Sequence, residues 1–192
     1  MLAYVFWHWP GAGVEADSYE KDLRDFHRAL AQAKPAGFQR SVVFRLAGAP
    51  WLATSGPAYE EWYLVDGSGG LDPLNEGAVS GLCKEPHDRA ARQAGGGTAG
   101  LYRLRAGEPK LAPPAAGLEE WSLAWWFAKP AGVRYEDFYA QLAPLTRQPG
   151  VSLWGRQMTL GPTPEFTLRS PAPLDLPAAL EAFRLELQPL WR

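Results

Sequence analysis

Two stretches decide how this chain is read: Leu2-Ala-Tyr-Val-Phe-Trp-His-Trp-Pro10 and Leu123-Ala-Trp-Trp-Phe-Ala-Lys-Pro130. Each is a run of aromatic and aliphatic residues stopped by proline, the pattern of a strand entering a turn. Each is followed by Tyr-Glu, at Tyr19-Glu20 and Tyr135-Glu136, and then by apolar residues at helical spacing. Leu23, Phe26, His27 and Leu30 form the stripe of the first helix, and Phe138, Leu142 and Leu145 that of the second. Alternation along the first run puts Tyr4, Phe6 and His8 on one face and Ala3, Val5, Trp7 and Trp9 on the other. Both faces are apolar, as in a sheet covered on both sides.

Working outward, Phe38–Leu46 and Tyr59–Val65 read as an antiparallel pair of strands. A helix is expected over much of Leu74–Ala94, weakened at Gly77 and Gly81 and firmest from Glu85. Gly95-Gly96-Gly97 reads as a turn before a strand over Thr98–Leu104. The first half is therefore β-α-β-β-α-β, the ferredoxin-like order. Residues 106–118 are rich in proline and alanine and form a semi-rigid linker. The second half restarts with strands at Trp121–Lys129, Val151–Leu160 and Glu165–Arg169 and a helix over Tyr135–Thr146. Asp175 can cap a further helix running to about Leu187, and a last strand is either very short, near Leu190–Arg192, or absent. Gly37-Phe38 matches Gly150-Val151, and Leu71-Asp72 matches Leu174-Asp175. The fold class expected is α+β: a first ferredoxin-like repeat in 1–105, the linker in 106–118, and a second repeat (βαββα) in 119–192.

The bulk composition sets further bounds. Of 192 residues, 46 % are hydrophobic and 21 % charged, which suits a packed globular core. Nine tryptophans are many, and each large aromatic buries about 150–250 Å². Nineteen basic and 21 acidic residues give a net charge of −2, which argues against a nucleic-acid partner. The apolar run at the N-terminus ends at His8, too short to span a membrane. One cysteine, Cys83, fits a reducing compartment, so a cytoplasmic location is expected.

Two such units with aromatic first strands and a proline-rich linker resemble the dimeric α/β-barrel superfamily, which includes antibiotic-biosynthesis monooxygenases, EthD-like proteins and muconolactone isomerases. The first half resembles the EthD-like pattern in strand Ala3–Trp9, in Asp25-Phe26-His27, and in His87-Asp88-Arg89-Ala90-Ala91 before Gly100-Leu101-Tyr102. The resemblance implies two ferredoxin-like units packed sheet to sheet, here within one chain. The chain would then be a monomer with pseudo-dimeric halves, or a homodimer. The interior between the sheets is expected to be lined by Tyr4, Phe6 and His8 from one half and Trp125, Phe127 and Lys129 from the other.

A small apolar or aromatic ligand between the sheets is the function expected. The resemblance implies cofactor-independent monooxygenase or isomerase chemistry if the chain is an enzyme. His8 is the candidate catalytic base, with Tyr4, Phe6, Trp125, Phe127 and Trp154 as walls. Arg45, Tyr63 and Arg156 are polar or amphipathic strand residues that either point inward to a ligand or sit at a wet rim. His8 can equally be a hydrogen-bonded strand-end histidine, His27 is expected to pack, and His87 to lie at the surface. Haem, with His8 or His87 as axial ligand, is the alternative cofactor that the resemblance brings. A second alternative is a non-catalytic barrel filled by its own aromatics. The three histidines lack ligand spacing and Cys83 lacks a cysteine partner, so no metal site is expected. No phosphate loop or nucleophile elbow occurs.

Overall fold

The computed structural model describes residues 1–54, 56–109, 121–159 and 161–191. The first half folds as β1 (Leu2–Pro10), α1 (Ala16–Ala33), β2 (Phe38–Leu46), β3 (Ala58–Val65), α2 (Leu71–Ala78), α3 (Gly81–Gln93) and β4 (Ala94–Gly107). The second half adds β5 (Leu123–Phe127), α4 (Tyr135–Thr146), β6 (Ser152–Thr159), β7 (Phe166–Ser170), β8 (Ala182–Glu186) and β9 (Gln188–Trp191). All nine strands join one sheet in the order β8-β5-β7-β6-β4-β1-β3-β2-β9, and every pairing is antiparallel. The quartets β4-β1-β3-β2 and β8-β5-β7-β6 have the same order, joined where β4 pairs β6. The two edge strands, β8 and β9, are separated in sequence by Leu187 alone. The sheet therefore curls until its edges nearly meet, a nearly closed barrel.

Three local expectations are corrected. The helix expected from Asp175 to Leu187 is absent; that segment forms β8 and the approach to it. Helical spacing loses here because β5 needs a partner along its second edge, and Ala182–Glu186 supplies it. Leu185 and Leu187 alternate inward with period two. The expected helix over Leu74–Ala94 is two helices, broken at Gly81, whose φ of +50° a glycine adopts without strain. Gly95-Gly96-Gly97 is strand, not turn. A Cβ on Gly96 would lie 2.6 Å from the Trp9 ring and one on Gly97 2.6 Å from the Phe6 ring. These glycines let two aromatic rings lie flat on the β4 backbone. The linker expectation falls mostly outside the described residues, while Ala106 and Gly107 close β4.

The interior of the barrel has the opposite parity to the one expected. Trp7, Trp62, Tyr102, Trp126 and Trp154 fill it, with Val42, Phe44 and Leu185 around them. The rings contact one another edge to face, for example Trp7–Trp126 at 5.2 Å and Trp62–Trp154 at 5.2 Å between centroids. Tyr4, Phe6 and His8 point the other way, towards α1, α2 and α3. Trp125 and Phe127 pack against α4 in a separate cluster, and Lys129 turns back onto the carbonyls of Pro130 and Val133. The sequence offered two apolar faces per strand. The larger rings took the face enclosed by both quartets, where burial is most complete.

One charged pair spans this aromatic interior. Glu60 on β3 and Arg169 on β7 are both 0 % exposed, and Arg169 Nη2 lies 2.6 Å from Glu60 Oε1. Glu60 also accepts hydrogen bonds from the indoles of Trp7 at 2.9 Å and Trp62 at 2.8 Å. The guanidinium sits 4.4 Å from the Trp62 ring centre and 5.0 Å from that of Trp126, in cation–π range. Burial pulls the guanidinium below its ordinary value, opposed by Glu60. Arg169→Ala leaves a buried carboxylate without its countercharge and is expected to lower unfolding free energy by about 3–5 kcal/mol. The Glu60→Gln, Arg169→Met double variant is expected to lose less than Arg169→Ala alone, measured by urea denaturation. A double variant less stable than Arg169→Ala would contradict this account.

Candidate functional site

The described cavity of about 600 Å³ lies between the first quartet's outer face and helices α1 to α3, a size usual for small-molecule sites. Its floor is strand: Tyr4, Phe6 and His8 from β1, Glu61 and Tyr63 from β3, and Leu101 from β4. Tyr19, Leu23 and Phe26 of α1 form one wall. Residues of α2, including Asp72, Leu74 and Asn75, form the roof, and α3 contributes His87, Ala90 and Ala91. Among the described residues, no lysine or arginine lines it. The site exists because β1 and β3 are buried on both faces. Their outward residues need a helical cover, and α1 and α3 supply it with small or aromatic side chains.

The floor carries a continuous polar network. The Tyr19 hydroxyl and His8 Nδ1 are hydrogen-bonded at 2.6 Å. His8 Nε2 lies 3.3 Å from Glu61 Oε1, within ion-pair distance, but Nε2 has no aligned hydrogen bond. The carboxylate stands beside that nitrogen and off its axis. His27 Nε2 donates to the same Glu61 oxygen at 3.0 Å, and the Tyr63 hydroxyl donates to Oε2. Ser41 Oγ closes the chain on His27 Nδ1 at 2.7 Å. His8, His27, Ser41 and Glu61 are all buried. Phe6 and Tyr59 stack on either side of the His8 ring, at 5.1 and 5.6 Å, and fix its plane.

Burial alone would raise the Glu61 carboxyl, but the nearby imidazoles of His8 and His27, with the hydrogen bond from His27, outweigh it and hold the group well below the usual carboxylate range. Burial and the neighbouring Glu61 push the Tyr19 and Tyr63 hydroxyls far above theirs. The site therefore offers a fixed carboxylate, a cavity-lining imidazole whose Nε2 has no aligned hydrogen bond, and phenols that stay protonated. That set can take a proton from a ligand and hold the resulting imidazolium against Glu61.

Of the residues singled out from sequence, His8, Tyr4, Phe6 and Tyr63 come together at this floor. Trp125, Phe127 and Trp154 do not; the first two lie under α4 and the third fills the barrel. Arg45 pairs with Glu20, which also accepts from the Tyr59 hydroxyl at 2.9 Å. Arg156 donates to the Thr163 carbonyl. His87 is half-exposed on α3 and lines the cavity. Glu61, Tyr19 and His27 were missed as site residues. The signal for Glu61 was present, since Glu60-Glu61 interrupts a strand otherwise apolar on both faces. Among the described residues, no cluster of His, Cys, Asp and Glu has metal-holding geometry, and no helix is long and apolar enough to cross a membrane.

No family model matches the sequence, and no curated protein matches it. Solved structures do resemble the fold. A candidate monooxygenase from Fusobacterium nucleatum subsp. nucleatum aligns with a TM-score of 0.59 at 12 % identity, over 98 % of this chain and 92 % of that one. An anthrone oxidase-like protein gives 0.58 at 11 %, over 98 % and 90 %. A candidate monooxygenase from Lactobacillus acidophilus gives 0.55 at 9 %, over 98 % and 94 %. At these identities the likeness is one of fold: barrels built from ferredoxin-like sheets, matched over nearly the whole chain.

Because the Glu61 carboxyl titrates lower when folded than its ordinary value of 4.5, its contribution to stability is complete above about that pH and is lost as pH falls through the lowered folded value. Glu61→Gln is expected to be less stable at neutral pH. Its urea midpoint is expected to fall less steeply than that of the wild type between about pH 5 and pH 3. Parallel slopes would show that Glu61 carries no such linkage.

Proposed function

We propose that this chain binds a small, flat, largely apolar molecule in the cavity over β1 and β3, and that His8 removes a proton from it. The observation that carries this is the His8 side chain: it lines the cavity, and its Nε2 atom is buried, without an aligned hydrogen bond, and beside an ionised carboxylate. An imidazole placed so is a base whose conjugate acid is stabilised as it forms. The aromatic floor suits a ring system, and the burial of His8 and Glu61 strengthens their attraction.

Cofactor-independent monooxygenase or isomerase chemistry follows from such a base. For an acidic methylene between carbonyl-activated rings, as in an anthrone, loss of a proton to His8 leaves a carbanion that dioxygen can oxidise. The balance is R₂CH₂ + O₂ → R₂C=O + H₂O, with one oxygen atom entering the substrate. If the proton returns at another carbon, the same base performs an isomerisation. The anthrone oxidase-like and monooxygenase neighbours lend support through fold alone. We also read the two strand quartets as fused ferredoxin-like copies, which lets one chain close its own barrel; their shared order and aromatic first strands support this. In the EthD-like reading, Phe26 packs between His27 and His87 on the helical side, at 5.2 and 5.6 Å.

Haem is a second occupant to test, because His8 and His87 both line the cavity. Against it, no lysine or arginine among the described residues lines the cavity to meet two propionates. A Soret band in the purified protein would decide for haem.

The primary test uses anthrone in oxygenated buffer and, separately, in anaerobic D₂O. The wild type is expected to take up oxygen one-to-one with anthrone and to accelerate deuterium exchange of the methylene. His8→Gln is expected to slow both by about 100-fold or more. Exchange and uptake at the rate of buffer alone would overturn the base assignment for this substrate class.

A further inference from the structure

Glu61 is held by groups other than His8. Its Oε1 accepts from His27 Nε2 and its Oε2 from the Tyr63 hydroxyl. His27 is itself fixed: Ser41 holds Nδ1, and the ring stacks on Tyr63 at 5.3 Å with 23° between planes. His27 is 0 % exposed and lies outside the cavity lining, so it touches no ligand there.

This arrangement has an unfavourable feature. A buried ring nitrogen, His8 Nε2, is left without an aligned hydrogen bond 3.3 Å from a carboxylate oxygen. Buried polar atoms ordinarily find partners, and a glutamate free to rotate would close the short gap and hold the Nε2–H tautomer, which cannot accept a hydrogen from a ligand. Glu61 does not, because both its oxygens are already engaged, Oε1 by His27 and Oε2 by Tyr63. Tyr63 stands two residues along the same strand and moves with Glu61. His27, on α1, is the anchor that comes from another element.

We infer that His27 is a positioning residue: by engaging Glu61 Oε1 it holds the carboxylate beside His8 and keeps Nε2 open for the acidic hydrogen of a ligand. The inference rests on the reading of His8 as the proton acceptor in the cavity. It assigns to the second histidine the control of whether that acceptor is available.

Two near-isosteric compounds test it: 2-naphthol, which can donate a hydrogen bond to Nε2, and 2-methylnaphthalene, which cannot. Equilibrium dialysis measures both against the full chain. The wild type is expected to prefer 2-naphthol. In His27→Ala, Glu61 is expected to rotate onto His8. The preference then falls by about tenfold while 2-methylnaphthalene binding stays within about twofold. His27→Gln is expected to restore the preference, since its amide can donate to Glu61 and accept from Ser41. A purely packing role would change both affinities together and would not be rescued by glutamine. If His27→Ala does not fold, Ser41→Ala loosens the ring without emptying its place and is expected to shift the preference the same way by less. An unchanged preference in the folded variant would overturn the inference. Failure of both compounds to bind the wild type would overturn the cavity reading itself, and this inference with it.

Discussion

The structure depends on how strand β3 buries two adjacent glutamates. Glu60 and Glu61 are next to each other, so they point to opposite faces of the sheet, and both are buried. An ionised carboxylate taken from water without partners is unfavourable by many kcal/mol. Each therefore organises what surrounds it. Glu60 gathers two indoles and an arginine from the second quartet. Glu61 gathers two histidines and a tyrosine from β1, α1 and its own strand. The first arrangement fastens the barrel and the second builds the cavity floor.

The two faces of β1 divide in the same way. Trp7 goes into the barrel, where rings and one ion pair fill the space. His8 goes under the helices, where a roof of short side chains leaves room for a molecule. A filled interior and an open outer layer are consistent within one chain, because the barrel lends rigidity to the strand that carries the site. Among the described residues, aromatic rings and an ion pair occupy the space between the quartets. The reactive groups stand on the opposite side of the same backbone.

Much of this could be read from sequence, and the failures have physical causes. Strands β2 and β3 and helix α4 follow from periodicity and punctuation, since proline and glycine bracket them closely. His8, Tyr4, Phe6 and Tyr63 were recognisable as one neighbourhood because they share strand parity or occupy a paired strand. Which face enclosed the barrel was not legible, because both faces of β1 and β5 are aromatic and only the second quartet's placement decides between them. Glu61 was overlooked as a site residue because an acid in a strand reads as solvent-facing until its partners are known. His27 and Tyr19 look like ordinary core positions on α1, and only the fold brings them to Glu61. The last strands were misread because Leu174–Leu187 satisfies helical spacing locally, while the demand for a strand comes from β5, dozens of residues away.

The way the sheet closes has a bearing on the order in which the molecule can assemble. Pairing of β2 with β9 joins Val43 to Trp191, a separation of 148 residues (191 − 43) and the longest of any strand pair here. Bringing such distant segments together carries the largest loop-closure entropy in the sheet. Trp191 is also the residue that lies against His27, at 6.4 Å between ring centres, and the Arg28 guanidinium faces the same indole at 6.0 Å. The outer side of the histidine network is thus completed by the most entropically demanding contact in the chain. The first quartet can lay down the floor of the cavity by itself. The surroundings of His27 reach their final form only when the far end of the sequence has come round to meet β2, which ties maturation of the site to completion of the whole barrel.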